Sequence, residues 1–304
     1  MSASLIVLIP VVLLGVVTTV CFVGCVLNRQ GTGVGPGGPT ALYQGAVITN
    51  ANLVAYWPLN DTQQDLPTAH DLSNHKFDGT YTFGPTGPSS FMIQQAGIVP
   101  GDLTDALRNP CASFNGGFVQ VPFHQELNAS SFTLECWVKP NWTGADPQDQ
   151  RAAVVSAFGD ERPNPTDNAG YGIVATQDNF WSAQIGLGTK FLGATSKDAI
   201  MLDGVATYYL AMTFDGSSLT LFVGIVGGAL TSTPPVSPAP GEKFVSESPG
   251  MTATSLFIAM GRPDLPTSGL FPFNGLIQDV AYYSPALGVA DVQNHFTLGS
   301  KPPG

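Results

Sequence analysis

From residue 41 onward the chain consists of short apolar runs that alternate with polar residues and stop at Gly, Pro, Asn or Asp. NLVAYWPL (52–59), ASFNGGFVQVPF (112–123), AAVVSAF (152–158), YGIVATQ (171–177), FWSAQIGLG (180–188), YYLAMTF (208–214), SLTLFVGIVGG (218–228), SLFIAMG (255–261) and NGLIQDVAYY (274–283) all follow this pattern. Period-two alternation of this length is the mark of a strand, and strands at this spacing without intervening amphipathic helices predict a sandwich or barrel. Only ALGVADVQNHF (286–296) reads as a helix, opening after Ser284-Pro285. The abundance of turn-forming residues, 35 Gly and 25 Pro against only 11% charged residues, agrees with a turn-rich all-β chain. The pattern runs without an internal repeat, so residues 41–299 read as one domain and 300–304 as a tail.

SFTLECWVKP (131–140) sets the central question. Phe132, Leu134, Cys136 and Val138 alternate with Thr133, Glu135, Trp137 and Lys139. The first set is fit for a core. The second, with its carboxylate and indole, is either a binding face or a further packed layer.

The N-terminus is of another kind. LIVLIPVVLLGVVTTVCFVGCVL (5–27) contains no charge, and its roughly 23 residues would span about 34 Å as a helix, enough for the hydrocarbon core of a bilayer. A cleaved signal would carry a basic start, which MSAS lacks. FVGC (22–25) loosely fits a lipoprotein signal, leaving lipidation of Cys25 as an alternative. The reading preferred is an anchor over 1–27, followed by a Gly/Pro linker over 28–40 that holds the domain off the membrane. Sequons at Asn60, Asn128 and Asn141 favour an external domain, and Arg29 weakly favours the opposite orientation.

The net charge of −11, with no local run of Lys or Arg, argues against a nucleic-acid partner. Cys21 and Cys25 fall in the apolar segment, and neither cysteine pair has zinc-like spacing. Cys111 and Cys136 are either a disulfide of an external domain or free buried thiols.

LVAYWPLND, HDLSNHKFDGTY, ASFNGGFVQVP, SFTLECWVKP, YLAMTFDGSSLTLFV and FNGLIQDVAYYSPALGVADVQNHF occur in that order. Together they resemble a laminin G-like jelly roll of the concanavalin A-like lectin/glucanase superfamily, over most of residues 50–297. The resemblance implies two curved antiparallel sheets, with the last strand and helix returning beside the first strand. It puts Glu135 and Trp137 on the outer side of their sheet, as a glycan platform unless a loop such as 141–151 or 159–170 covers them. Trp142 in NWTGADPQDQ and Trp181 in DNFWSAQIG are further candidate platforms. The family often holds calcium between an acid ending the first strand and one in the last. The matching positions here are Asn60 and Gln278, with Asp71 and Asp78 in the following loop, which implies a weak or lost site. Alternation would turn Asp61 and Asp279 to the other side.

The glucanase branch works by paired carboxylates in E-x-D-x-x-E. None of Glu126, Glu135, Glu161, Glu242 and Glu247 is followed two residues later by Asp. The expectation is therefore a binding module rather than an enzyme, without a cofactor and with calcium left open. It would be anchored through residues 5–27, displayed on a cell or virion exterior, and directed at glycans or surface proteins. A structural component of a virion or cell envelope is the alternative, and the oligomeric state is left open.

Overall fold

The computed structural model describes residues 42–85, 89–102, 109–142, 152–158, 168–246, 255–261 and 271–301. They belong to the second of two units into which the chain divides, Pro39–Gly304. Residues 5–27, expected as an anchor, lie outside the described residues. Among the described residues no helix is long and apolar enough to cross a membrane.

A helix, α1 (Leu42–Thr49), leads into β1 (Leu53–Trp57), β2 (Thr68–Ala69), β3 (Gly79–Thr82) and β4 (Ser90–Gln95). Next come β5 (Cys111–Asn115), β6 (Phe118–Val121), β7 (Phe132–Pro140), β8 (Ala152–Ser156), β9 (Tyr171–Ala175) and β10 (Phe180–Gly186). The chain then forms β11 (Phe191–Ala199), β12 (Tyr208–Phe214), β13 (Leu219–Ile225), β14 (Leu230–Ser232) and β15 (Leu256–Ile258). It closes with β16 (Asn274–Tyr283) and α2 (Val289–Ser300).

One sheet runs β14-β13-β12-β7-β16-β5-β4, with β1 also paired to β16, and the other runs β11-β10-β9-β8-β15-β6-β3-β2. The described ladders are antiparallel, which makes the two-sheet sandwich expected from the alternation. The main core lies between the sheets. Phe132, Leu134, Cys136 and Val138 all enter it, and Phe132 sits among Tyr171 (4.6 Å), Tyr282 (5.5 Å) and Phe214 (6.1 Å). A second core lies on the outside of the first sheet, where α1 and α2 pack over Trp137, Tyr209, Ala281 and Tyr283.

Two local devices shape this arrangement. Ser131 Oγ accepts the Ala286 N–H at 3.1 Å and Thr133 Oγ1 accepts the Leu287 N–H at 2.9 Å. These bonds tie the segment leading into α2 to Ser131 and β7, and the helix itself begins after Gly288, whose carbonyl accepts the Asp291 and Val292 amides. A bulge in β16 lies between Gln278 and Ala281, with Asp279 at φ 55°. The extra residue overrides strict alternation and leaves Asp279 on the same side as Gln278, where Tyr56 Oη donates to it at 2.5 Å. The expectation that Asp279 turns away is corrected on that ground.

Cys111 and Cys136 are both free and buried. Their strands flank β16 on opposite sides, and their side chains enter different cores, Cys111 the outer and Cys136 the inner. The disulfide alternative is thereby excluded, since bridged Cα atoms lie within about 7 Å with converging Cβ vectors.

Phe132→Ala empties the centre of the inter-sheet core and is expected to cost about 3–5 kcal/mol. The measurement is a lowered urea midpoint at unchanged slope; a change under about 1 kcal/mol would contradict this placement.

Candidate functional site

Glu135 and Trp137 do face outward from β7, but neither reaches solvent. The Glu135 carboxylate is fully buried and takes four donors: Tyr43 Oη at 3.2 Å, Tyr283 Oη at 2.6 Å, Tyr209 Oη at 2.5 Å and His295 Nδ1 at 3.1 Å. These come from α1, β16, β12 and α2, so one carboxylate ties both helices to three strands. Burial alone would push the Glu135 carboxyl up. The His295 charge and hydrogen bond, with the Tyr209 and Tyr283 hydroxyls, outweigh burial and hold it below the usual range. Burial would likewise lower the His295 ring, but the Glu135 charge and hydrogen bond raise it. The pair is ionic and internally satisfied, with no free lone pair aimed at solvent.

Trp137 is wedged between Tyr43, at 5.7 Å edge-on, Tyr209 at 5.0 Å and Phe296 at 6.2 Å. A Cβ at Gly299 of α2 would stand 2.2 Å from the Trp137 ring, so only glycine lets the helix lie this close. The expectation of a glycan-facing strand at Glu135 and Trp137 is corrected: the cover is a pair of helices. Trp181 is buried in the inter-sheet core, edge-on to Tyr208 at 5.6 Å, and is equally unavailable as a platform.

The residues expected near calcium are spent on the fold. Asp71 accepts from the Tyr56, Ser73 and Phe77 amides at 2.8 Å and from Ser73 Oγ at 2.7 Å. Asp78 accepts the Asp71 amide at 2.8 Å, and Asn60 Nδ2 donates to Asn109 Oδ1 at 3.3 Å. Gln278 Oε1 accepts the Ile98 amide at 2.7 Å, pinning the loop after β4. Calcium asks for about six to eight oxygens around one point, and these four residues converge on none. They do not fit the ion, in keeping with a site expected to be weak or lost. Asp61, Asp65 and His70 do bring ligand atoms within 4.8 Å of one another. Asp61, however, already accepts from Tyr81 Oη at 2.8 Å and the His70 amide at 3.2 Å.

Trp142 has a different setting. It follows β7, is partly buried, stands edge-on to Phe273 at 5.4 Å, and its backbone N–H donates to the Leu202 carbonyl at 2.9 Å. It lines a cleft of about 300 Å³ with Asn141, Asn274, Gly275, Asn115, Phe114 and Ser113. Register brings the amides together: Asn274 lies opposite Asn115, Asn115 opposite Ser90, and the Asn141 N–H donates to the Asn274 carbonyl at 3.0 Å. The result is a row, Asn141–Asn274–Asn115–Ser90, across the ends of four strands. Trp142 Nε1 and Asn274 Oδ1 are both buried without a hydrogen-bond partner, as are the indole nitrogens of the core residues Trp137 and Trp181. Only here do an unpartnered donor and acceptor belong to residues of one described cleft. One is a pure donor and the other an acceptor, and leaving either unpaired costs about 1–3 kcal/mol.

Trp142 was legible as a candidate from its loop, though as an exposed ring rather than a partly buried wall. Ser113, Asn115 and Asn274 were not. Both asparagines fall in runs read only as strands, 112–123 and 274–283, and only pairing register places them side by side. A larger groove of about 490 Å³ beside the start of α2, lined by Ser131, Thr213, Thr220 and Ser232, has no comparable unpartnered buried atoms among the described residues.

The chain was compared with known proteins. The profile of a laminin G-type family, described as the concanavalin A-like lectin/glucanases superfamily, matches residues 114–293. No curated protein matches the chain. Among solved structures, domain 4 of AbnA, a GH43 extracellular arabinanase from Geobacillus stearothermophilus in complex with arabinotriose, is similar at 18% identity and TM-score 0.51. The match covers 80% of this chain and 98% of that one. The receptor-binding domain of botulinum neurotoxin type G is similar at 12% identity and TM-score 0.47, over 82% of this chain and 51% of that one. A mutant of Trypanosoma rangeli sialidase displaying trans-sialidase activity is similar at 13% identity and TM-score 0.48, over 84% of this chain and 34% of that one. The chain thus spans about half or less of the last two. The expectation that the chain is not an enzyme is corrected: a similar sandwich occurs as domain 4 of an extracellular arabinanase, so the fold does not set catalysis aside.

Two outcomes test the buried cluster. Trp137→Ala is expected to lower the melting temperature sharply, as a core truncation of about 3–5 kcal/mol does; an unchanged melting temperature would return Trp137 to the surface. The ion pair sets a pH window. The raised His295 pKa contributes stability that is complete below its unfolded value, about 6.5, and lost as pH rises through the folded value. The lowered Glu135 pKa contributes stability present above about 4.3 and lost as pH falls through its folded value. The stability gap between the native chain and His295→Gln should therefore peak between about pH 4.3 and 6.5, at about 3–5 kcal/mol. A gap independent of pH in urea titrations would overturn the ionic assignment.

Proposed function

The chain belongs to the concanavalin A-like lectin/glucanases superfamily, and from that membership we propose that it is a glycan-binding module, tethered to a membrane through residues 5–27 and displayed on the outer side. Fold membership alone does not assign a ligand, since sandwiches of this type host unrelated roles. One observation carries the reading. The Trp142 cleft joins an aromatic ring, a row of amides and two buried polar atoms that lack partners. Sugar rings present apolar C–H faces that suit an indole, and hydroxyls that suit amide groups. The uncharged stretch 5–27 and the Gly/Pro linker 28–40 support tethering, and the sequons support an external position. On this reading residues 1–27 are the anchor, 28–40 the linker, 41–299 the binding domain and 300–304 the tail.

The test is a glycan array probed with the full chain in detergent. A defined set of bound glycans is expected, and Trp142→Ala should weaken binding about tenfold or more, equivalent to about 1.4 kcal/mol, in protein shown still folded at the assay temperature by circular dichroism. A blank array with folded protein, or binding untouched by Trp142→Ala, would overturn the site.

A further inference from the structure

The chemistry of the Trp142 cleft carries the reading further, to the class of sugar. We infer that the cleft selects uncharged saccharides over sialylated or uronic ones, an inference that rests on the glycan-binding reading above.

The first ground is the lining. Among the described residues, the polar side chains lining the cleft are the amides of Asn115, Asn141 and Asn274 and the hydroxyl of Ser113, and none of these ionises. A carboxylate brought against such walls would leave water without meeting a cation, and burying an unpaired charge is costly. Lys139 is two residues before Asn141 on β7 but does not line the cleft. The formal charge of −11 adds a repulsive field against any anionic ligand.

The second ground is the pair of unpartnered atoms. Trp142 Nε1 can only donate, and Asn274 Oδ1 can only accept. A sugar hydroxyl both accepts and donates, so it matches either atom in chemistry; both atoms lie just beneath the accessible surface, and the wall has to give for a hydroxyl to reach them. A carboxylate accepts only, and would leave Asn274 Oδ1 unsatisfied or repelled. The volume of about 300 Å³ is near the lower end for ligand sites. That is about ten water volumes at roughly 30 Å³ each, room for one ring and its substituents. Gly275 lets β16 lie close against the end of β7 at the cleft wall, because a Cβ there would stand 2.3 Å from the Lys139 carbonyl oxygen. Asn141 is itself a sequon asparagine in the wall, so the binding form is the one unmodified at that position.

The experiment uses the full chain in detergent, made in a bacterial host so that Asn141 is unmodified. Two sets of probes are titrated calorimetrically: neutral oligosaccharides, including arabinotriose and lactose, and 3′-sialyllactose, which differs from lactose by one anionic sugar. Each is run at low and high salt, on the native chain and on Trp142→Phe, which keeps an aromatic ring and deletes the N–H. The expected result is binding of a neutral probe that depends little on salt and weakens about tenfold in Trp142→Phe, with 3′-sialyllactose bound no more tightly than lactose. Sialyllactose bound about tenfold more tightly than lactose, with loss in Trp142→Phe, would overturn the neutral class and leave glycan binding intact. Binding of no probe, or binding indifferent to Trp142→Phe in a variant of native melting temperature, would overturn both.

Discussion

A single buried carboxylate organises the outer half of this molecule. Glu135 lies under two helices, where an isolated charge would cost several kcal/mol, and it is tolerated because His295 supplies a counter-charge and Tyr43, Tyr209 and Tyr283 supply hydroxyl donors. The four partners come from α1, α2, β12 and β16, so the charge is satisfied only when all of them are in place. Geometry of this sort adds specificity more than net stability. It fixes which face of α2 meets β7 and thereby presses Gly299 onto Trp137.

That roof decides where a ligand can bind. It covers the centre of the first sheet, including the aromatic residue that would otherwise be the natural sugar platform. Among the described residues the outer face is open at the ends of β5, β7 and β16, beyond the helices, and in the groove beside the start of α2. Strand ends are also where polar side chains and glycines gather, since the chain must turn there. The Asn141–Asn274–Asn115 row and Gly275 are such turn residues, brought side by side by register. The cleft therefore follows from the roof, because the same sheet offers structure at its middle and exposed polar groups at its end.

Other acids in this charge-poor chain are also turned inward. Asp71 organises the loop after β1 through three amides and a hydroxyl, and Asp61 receives Tyr81 Oη and the His70 amide. Burial pushes the Asp61 carboxyl up, opposed by those same hydrogen bonds. Such carboxylates resemble a metal set when read one residue at a time. Their lone pairs are already committed, which is why the positions suggestive of calcium hold loops instead.

Much of the sandwich was legible from residue order alone. Interior strands such as β7, β9, β12 and β16 carry alternation strong enough to read directly, because they pack on neighbours at both edges. β2, β3, β4, β11 and β14 were not among the runs that stood out, and all of these but β3 end one of the two sheets. An edge strand is half solvated, so its side chains need not alternate, as the pattern of β11 illustrates. The helix α1 was also missed, since eight residues with little amphipathicity leave only Tyr43 and Val47 as a signal. The run 286–296 also reached back before the observed start of α2, into a segment whose Ala286 and Leu287 amides donate to Ser131 and Thr133, some 150 residues away.

By itself, then, the sequence determined the all-β class, the inward face of β7 and the presence of a carboxylate and an indole on its other face. Alternation reports which side a residue takes, and that is a local property of the backbone. Only the tertiary structure decided that the other face is roofed, that Asp279 joins it through a bulge, and that three asparagines and Trp142 share one cleft. Those outcomes depend on which distant segments meet, and no local pattern records the partner.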